Sequence, residues 1–406
     1  MQRLQAFKYE LIPTGEQLRN MRRFAGSCRF VFNKALALQK ENYGRGLKHL
    51  SYVELARELT AWRHSTEDPW IKDAPCSSQQ HALKYLDQAY RRFFAKQAAY
   101  PKFKKKGARE SFHYPNKAAI RLDQEHSRIL LPKLGWVRYR NSRAVIGELR
   151  NATVSLTADK WFVSIQTARD VERPTPQSTS AVGIDVGIAR FATMSDGTFL
   201  APLHSLKRHQ AKLRRAQHQL SRKTKFSRNW RKAKTRVQRI HVHIANARRD
   251  FLHKATTTIS KNHAMVCIED LKVGNMSRSS SGNATRPGRC VRAKSGLNKA
   301  ILDQGWFEFR RQLEYKLAWN GGLLVAVSPA NTSSTCPACS HVSTDNRKTQ
   351  AEFSCVSCGH QDHADIVGAL NVLARGHRVA ACGEPVQSGH STKQEPTEAI
   401  QADSIG

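Results

Sequence analysis

The sequence predicts a multidomain α+β protein, on three observations. A helical stretch at residues 14–98 interrupts strand-like patterning that starts near residue 4 and resumes near 128. A segment rich in Pro, Ser and Thr at 171–180 has the composition of a linker. Beyond it, apolar strands alternate with long helical segments. At 406 residues the chain is long enough for two or three domains and a sizeable core.

Residues 4–12 alternate, with Phe7, Tyr9 and Leu11 on one side and Lys8 and Glu10 on the other, as a half-buried strand does. Pro13 ends it, and Thr14 with Gln17 makes a capping box for a helix. Leu18, Met21, Phe24, Cys28, Val31 and Ala35 then recur at helical spacing. Leu55, Leu59 and Trp62 mark a second helix, and Ala82, Tyr85, Leu86, Ala89, Tyr90 and Phe93 a third. Tyr100 to Lys106 is basic, aromatic and broken by Pro101. Strand patterns follow at 128–131, 135–139, 152–156 and 161–165, which predicts a barrel. The first strand joins it, so the helical unit is an insertion.

After the linker, 182–189 reads as a buried strand with Asp185 in its middle, and 191–200 as its hairpin partner. Leu206, Leu213 and Leu220 space one helical stripe; Val237, Ile240, Ile244 and Phe251 space another. Residues 221–226 are the turn of this basic helical hairpin. Residues 264–271 repeat the buried-strand pattern, with Glu269 and Asp270 at the end. Residues 277–298, rich in Ser, Gly, Asn and Arg, read as a mobile basic loop. Residues 362–371 open an amphipathic helix whose apolar face is Ile366, Ala369, Leu370 and Leu373. Periodicity is lost after Gly376, and a disordered tail is expected there.

Charge narrows the function. Lys and Arg number 67 against 32 acids, a formal balance of +35. Residues 205–254 hold 17 Lys or Arg and one acid, Asp250. So large an excess calls for a polyanion, and nucleic acid is the natural one. A membrane surface would want a basic amphipathic helix backed by Trp and Leu, which is not the pattern here. No apolar run reaches the ~20 residues of a membrane helix, and the start lacks an apolar export core. The nine cysteines do not form a secreted disulfide framework, and the chain reads as a cytoplasmic protein.

Two sets of residues suggest metal chemistry. A carboxylate inside an apolar strand is costly unless it is paired or bound to metal, which draws attention to Asp185; its plainer role is a turn Asp. Glu269 stands at a strand end, where open α/β sheets bind ligands, although a helix-capping pair reads the same way. Asp365 opens the last helix, where Asp362 could simply be the N-cap. Together, three acids on separate elements suit two Mg²⁺-type ions about 3.5–4 Å apart, serving in-line attack at phosphorus. Cys336-Pro337-Ala338-Cys339 and Cys355-Val356-Ser357-Cys358, 15 residues apart, have the spacing of a structural zinc site. Cys28, Cys76, Cys267, Cys290 and Cys382 are read as core or surface residues.

Several pieces, in this order, resemble the TnpB (OrfB) family of transposon-encoded nucleases, relatives of type V CRISPR effectors. They are Tyr100 to Lys104, Gly183-Ile184-Asp185-Val186-Gly187, Ile268-Glu269-Asp270-Leu271, Gly305-Trp306-Phe307, Ser328-Pro329, the four cysteines, and Asp365 to Asn371. The match runs over residues 4–376. The resemblance implies a wedge β-barrel over 1–13 and 99–172, a helical recognition domain at 14–98, and a linker at 173–180. It implies an RNase H-like RuvC nuclease domain over 181–330 and 359–376, interrupted by a zinc ribbon at 331–358, with a tail at 377–406. Asp185, Glu269 and Asp365 then hold Mg²⁺ or Mn²⁺ as catalytic acids, and Cys336, Cys339, Cys355 and Cys358 hold Zn²⁺. Lys102, Lys104, Lys105, Lys106, Arg214, Arg215, Arg231 and Lys232 are candidate phosphate contacts. The implied partners are a guide RNA from the transposon end and double-stranded target DNA, bound by a monomeric, nucleoid-associated protein with no small-molecule substrate or membrane. The implied activity is guided DNA cutting beside a short flanking motif; the alternatives are a guided repressor that does not cut and an accessory transposase. One departure stands out: Val367 and Gly368 replace the family's usual Asn-Ala after the last acid.

Overall fold

Alternation decides how the first strand faces. β1 (Gln2–Ile12) buries Phe7, Tyr9 and Leu11 and leaves Lys8 and Glu10 half-exposed. It opens a computed structural model in which residues 1–381 are described. The chain divides into two compact units between Glu172 and Arg173, inside the expected linker; Lys212–Val242 belongs with the first unit.

In the first unit, Thr14 and Gln17 form the expected capping box and start α1 (Gly15–Gly44). Then come α2 (Tyr52–His64) and α3 (Cys76–Phe94). The strands follow: β2 (Glu110–Tyr114), β3 (Arg121–Asp123), β4 (Arg128–Leu131), β5 (Gly135–Tyr139), β6 (Glu148–Thr157) and β7 (Lys160–Asp170). They make one seven-stranded sheet in the order β2-β6-β7-β1-β5-β4-β3, every pairing antiparallel. β1 holds it together by changing neighbours: Gln2 to Glu10 pair with β7, Leu11 and Ile12 with β5. The helices are inserted between β1 and β2, and their apolar stripe shares a core with the sheet, Phe24 meeting Phe112 edge-on.

The second unit is built on β8 (Ala181–Asp185), β9 (Ala192–Met194), β10 (Phe199–Leu200), β11 (Met265–Glu269) and β12 (Leu323–Val327). Their order is β10-β9-β8-β11-β12, with β8, β11 and β12 parallel and β9 and β10 antiparallel. α4 (Ser205–Ser221) and α5 (Arg228–Asn262) are the two arms of the basic hairpin, whose residues 212–242 group with the first unit. α6 (Val273–Met276), α7 (Val291–Gln304) and α8 (Trp306–Asn320) follow. After β12 a short ladder of β13 (Glu352–Ser354) and β14 (Gln361–His363) leads into α9 (Ala364–Ala381).

Four expectations need correction. Asp185 is the last residue of its strand, not its middle, because Gly187 turns the chain back toward β9. The stretch 191–200 is two short strands with a turn at Gly197, whose φ of 83° suits glycine. The basic loop ends early: residues 291–298 are the first turns of α7, whose Ile301 packs in the core. The last helix runs past Gly376 to Ala381, its Gly376 riding on Cys267 of β11; the remainder of the predicted tail lies outside the described residues. No helix among the described residues is long and apolar enough to cross a membrane.

α9 sits on the sheet at van der Waals limits. A Cβ on Gly183 would fall 2.1 Å from the Ala369 carbonyl oxygen and 2.7 Å from the Leu373 nitrogen. Backbone cannot retreat as a side-chain end can, so Gly183→Ala should lower unfolding stability by about 3 kcal/mol, read as a reduced denaturation midpoint with unchanged m-value.

Candidate metal centres

Parallel register brings the first two acids together. Ile184 pairs with Ile268, so Asp185 and Glu269 leave the same ends of neighbouring strands. The third, Asp365, lies in the first turn of α9, which packs on those strands. A Cβ on Gly368 would stand 2.9 Å from Asp185 Oδ2, so the helix backbone itself walls that carboxylate.

Asp185 feels the other two acids. The Asp185 carboxyl is pushed up to about 7, first by burial, then by the charges of Glu269 and Asp365; Arg347 opposes the rise. Burial also raises Glu269, against a hydrogen bond from Thr332 and the charge of Arg375. Thr332 Oγ1 donates to Glu269 Oε1 at 2.6 Å. Asn371 on α9 donates to the Thr332 and Thr335 carbonyl oxygens at 2.8 and 2.7 Å, fixing that loop. Arg347 Nη2 lies 3.7 Å from Asp365 Oδ1.

The neighbouring acids are committed elsewhere. Asp270 pairs with Lys272 at 2.8 Å and with Arg310, and those partners hold its carboxyl below the ordinary range. Asp362 is not the N-cap: it sits within β14 opposite Phe353, and its Oδ1 accepts from the His363 amide. The four cysteines are the group, among the described residues, whose ligand atoms all lie within 4.8 Å of one another; the three acids do not reach that mutual closeness. A pair of ions spans more room than one ion does, and three carboxylates around it need not touch.

The thiols fit a single tetrahedral ion. Cys336 Sγ and Cys358 Sγ are 3.7 Å apart, Cys339 Sγ and Cys355 Sγ 3.6 Å. A tetrahedron with Zn–S of about 2.3 Å has edges of about 3.8 Å. The backbone amide of Cys358 points at Cys355 Sγ, and such amides pull that thiol down to about 6, favouring the thiolate a metal needs. Val367 is fully buried with Cys336, Phe353, Cys355 and Ala364, so this position faces the cysteine module, where an apolar residue suits.

The basic residues divide. Arg214, Arg215, Arg231 and Lys232 are exposed on the hairpin, as are Lys102, Lys105 and Lys106 before β2. Lys104, exposed as well, also has its ammonium 4.0 Å from the Phe32 ring centroid and its backbone paired with Asn33 of α1. Sequence reading missed Thr332 and Arg347. Both lie in segments without periodicity, and only the folded chain brings them to the acids.

A family model described as "Probable transposase" (OrfB_IS605) matches residues 164–280, and one described as "Cas12f1-like, TNB domain" matches 306–372. A model described as a helix-turn-helix domain matches 1–48, where this chain has β1 and the single long α1. "Putative RNA-guided DNA endonuclease InsQ" of Escherichia coli (strain K12) is 56% identical over 402 residues, 99% of this chain and 100% of that one. A protein of Streptomyces pristinaespiralis, of the same name without "InsQ", is 34% identical across 97% of this chain and 96% of its own. Among solved structures, a Cas12f1–sgRNA–target DNA complex gives a TM-score of 0.53 at 11% identity, covering 91% of this chain and 98% of that one; it shares the fold.

Two outcomes are expected. The folded Asp185 value lies above its ordinary 3.8, so its contribution to stability is present below 3.8 and lost as pH rises through 7. In chelator-treated protein, Asp185→Asn should therefore raise Tm well above pH 7 and leave it near the parent's below 3.8. Cys355→Ser should reduce bound zinc from one ion per chain to none and lower Tm, because structural zinc binding is coupled to folding; elemental analysis and calorimetry read both.

Proposed function

As this chain belongs to the OrfB (TnpB) family of RNA-guided DNA endonucleases, we propose that it cuts DNA phosphodiesters at the centre formed by Asp185, Glu269 and Asp365, with a transposon-end RNA choosing the site by base pairing. The observation that carries this reading is the convergence of three acids from distant parts of the chain: parallel pairing sets Asp185 beside Glu269, and α9, with Asp365 in its first turn, packs against Asp185 at Gly368. Clustered like charge is expensive unless cations offset it. On this reading the second unit is a RuvC-like nuclease domain, the seven-stranded sheet its wedge barrel, and α1 to α3 its recognition insert.

Asp185, Glu269 and Asp365 would hold two Mg²⁺ or Mn²⁺ ions, which when bound activate the attacking water and stabilise the leaving oxygen. The protein's own groups do the rest. Thr332 fixes the rotamer of Glu269, and Asn371 fixes the loop that carries Thr332. Arg347, beside Asp365, is positioned to meet the oxygens of a phosphate placed against the acids. The exposed hairpin cations hold nucleic-acid backbone, with binding that falls steeply with salt. Protein reads the short flanking motif and helix shape; base pairing reads the rest.

Protein copurified with its RNA should cut target DNA in Mg²⁺, and sequencing that RNA should return one species from the neighbouring transposon end. Asp185→Ala, Glu269→Ala and Asp365→Ala should each reduce cutting to background while RNA binding persists; Asp362→Ala should cut like the parent. Binding without cutting by the parent protein would mark a guided repressor instead. Thr332→Val should slow cutting about 10- to 100-fold, with recovery at raised metal concentration because the acids themselves remain.

A further inference from the structure

The first unit carries a second feature that the acid centre does not use. Between the end of α3 and β2, aromatic side chains gather on the surface: Phe94 is 62% exposed, Phe103 47% and Tyr100 38%. They are not scattered. Tyr100 meets Phe93 edge-on at 5.2 Å, and Phe93 meets Phe94 at 5.5 Å. Tyr90, buried beneath, anchors the set: its ring is near-parallel to Phe94 at 6.0 Å, and its hydroxyl lies 2.9 Å from that of Tyr100. Lys40 from α1 stands 5.7 Å from the Tyr100 ring and 4.6 Å from Phe103. Lys102, Lys105 and Lys106 are exposed in the same segment.

Ring faces held rigid at the surface and interleaved with cations match one chemistry, a polyanion with π faces to stack. An acidic protein would satisfy the cations and leave the rings wet; a paired duplex would meet the cations and keep its bases stacked inside. Rings left exposed in the protein alone also favour an occupant that stays, since an uncovered apolar patch invites aggregation. We propose that Phe94, Tyr100 and Phe103 form a stacking platform for unpaired bases of the resident RNA, with Lys40, Lys102, Lys105 and Lys106 holding the flanking phosphates. This assignment rests on the guided reading for the identity of the RNA but not for the stacking itself.

The test uses full-length protein and three probes: a short single-stranded RNA with 2-aminopurine at unpaired positions, the same sequence as DNA, and a fully paired RNA duplex. The parent should quench the probe's fluorescence in the single-stranded RNA. The double variant Phe94→Ala with Phe103→Ala should lose that quenching and bind the single strand roughly 10- to 100-fold more weakly, with the slope of affinity against salt unchanged. Lys102→Ala with Lys105→Ala and Lys106→Ala should instead flatten that slope. Phe94→Trp with Phe103→Tyr should restore quenching, which separates lost stacking from misfolding. Unchanged quenching in the alanine variant, equal loss on the duplex, stronger stacking on DNA than RNA, or burial of the patch in a concentration-dependent dimer would each overturn the proposal. If the probes behave as expected but no RNA copurifies from cells, the guided reading fails and the platform stands; if RNA copurifies and the alanine variant is indistinguishable, the platform fails alone.

Discussion

The contact on which this molecule turns is the seating of α9 against β8 and β11. Glycine makes it possible. At Gly183 and Gly376 the helix comes so near the sheet that a single methyl group would collide with the Ala369 carbonyl oxygen or with Cys267 Sγ. Parallel pairing alone sets Asp185 beside Glu269. Only the seated helix adds Asp365, 180 residues after Asp185 in sequence (365 minus 185).

That same helix joins the two candidate metal centres. Val367 faces the cysteine module, Gly368 faces Asp185, and Asn371 grips the loop that positions Glu269 through Thr332. The residues following the last acid thus divide their contacts between thiols and carboxylates. Val367 itself lies on the cysteine side, where its surroundings are apolar. Arg347, which comes from the cysteine module, reaches back to Asp365, so the module contributes a charge as well as rigidity.

Local chemistry explains what could be read from sequence. The capping box at Thr14, the stripe from Met21 to Ala35, the alternation of β1 and the cysteine spacing are short-range patterns, and each appears as expected. The three acids stood out as candidates because a carboxylate within or at the end of an apolar run is conspicuous, although Asp185 was expected mid-strand and ends its strand instead. Thr332 and Arg347 were not, since a hydroxyl and a guanidinium in irregular chain look like any solvated loop residues. The N-cap reading of Asp362 failed for a related reason: the ladder of β13 and β14 pairs residues from either side of a cysteine knuckle, and the preceding six-residue stretch hides so short a strand. The exposed rings near Phe94 look like a core pattern in sequence, and only their accessibility distinguishes them.

Chain order has a consequence for synthesis. The ribosome delivers Asp185 and Glu269 to solvent well before Asp365, and the basic hairpin emerges before the four clustered cysteines, Cys336, Cys339, Cys355 and Cys358. A nascent polypeptide can therefore engage nucleic acid while its acid cluster is still two-membered. On the proposed reading, the three-acid centre is complete only when α9 has left the exit tunnel and settled on the sheet.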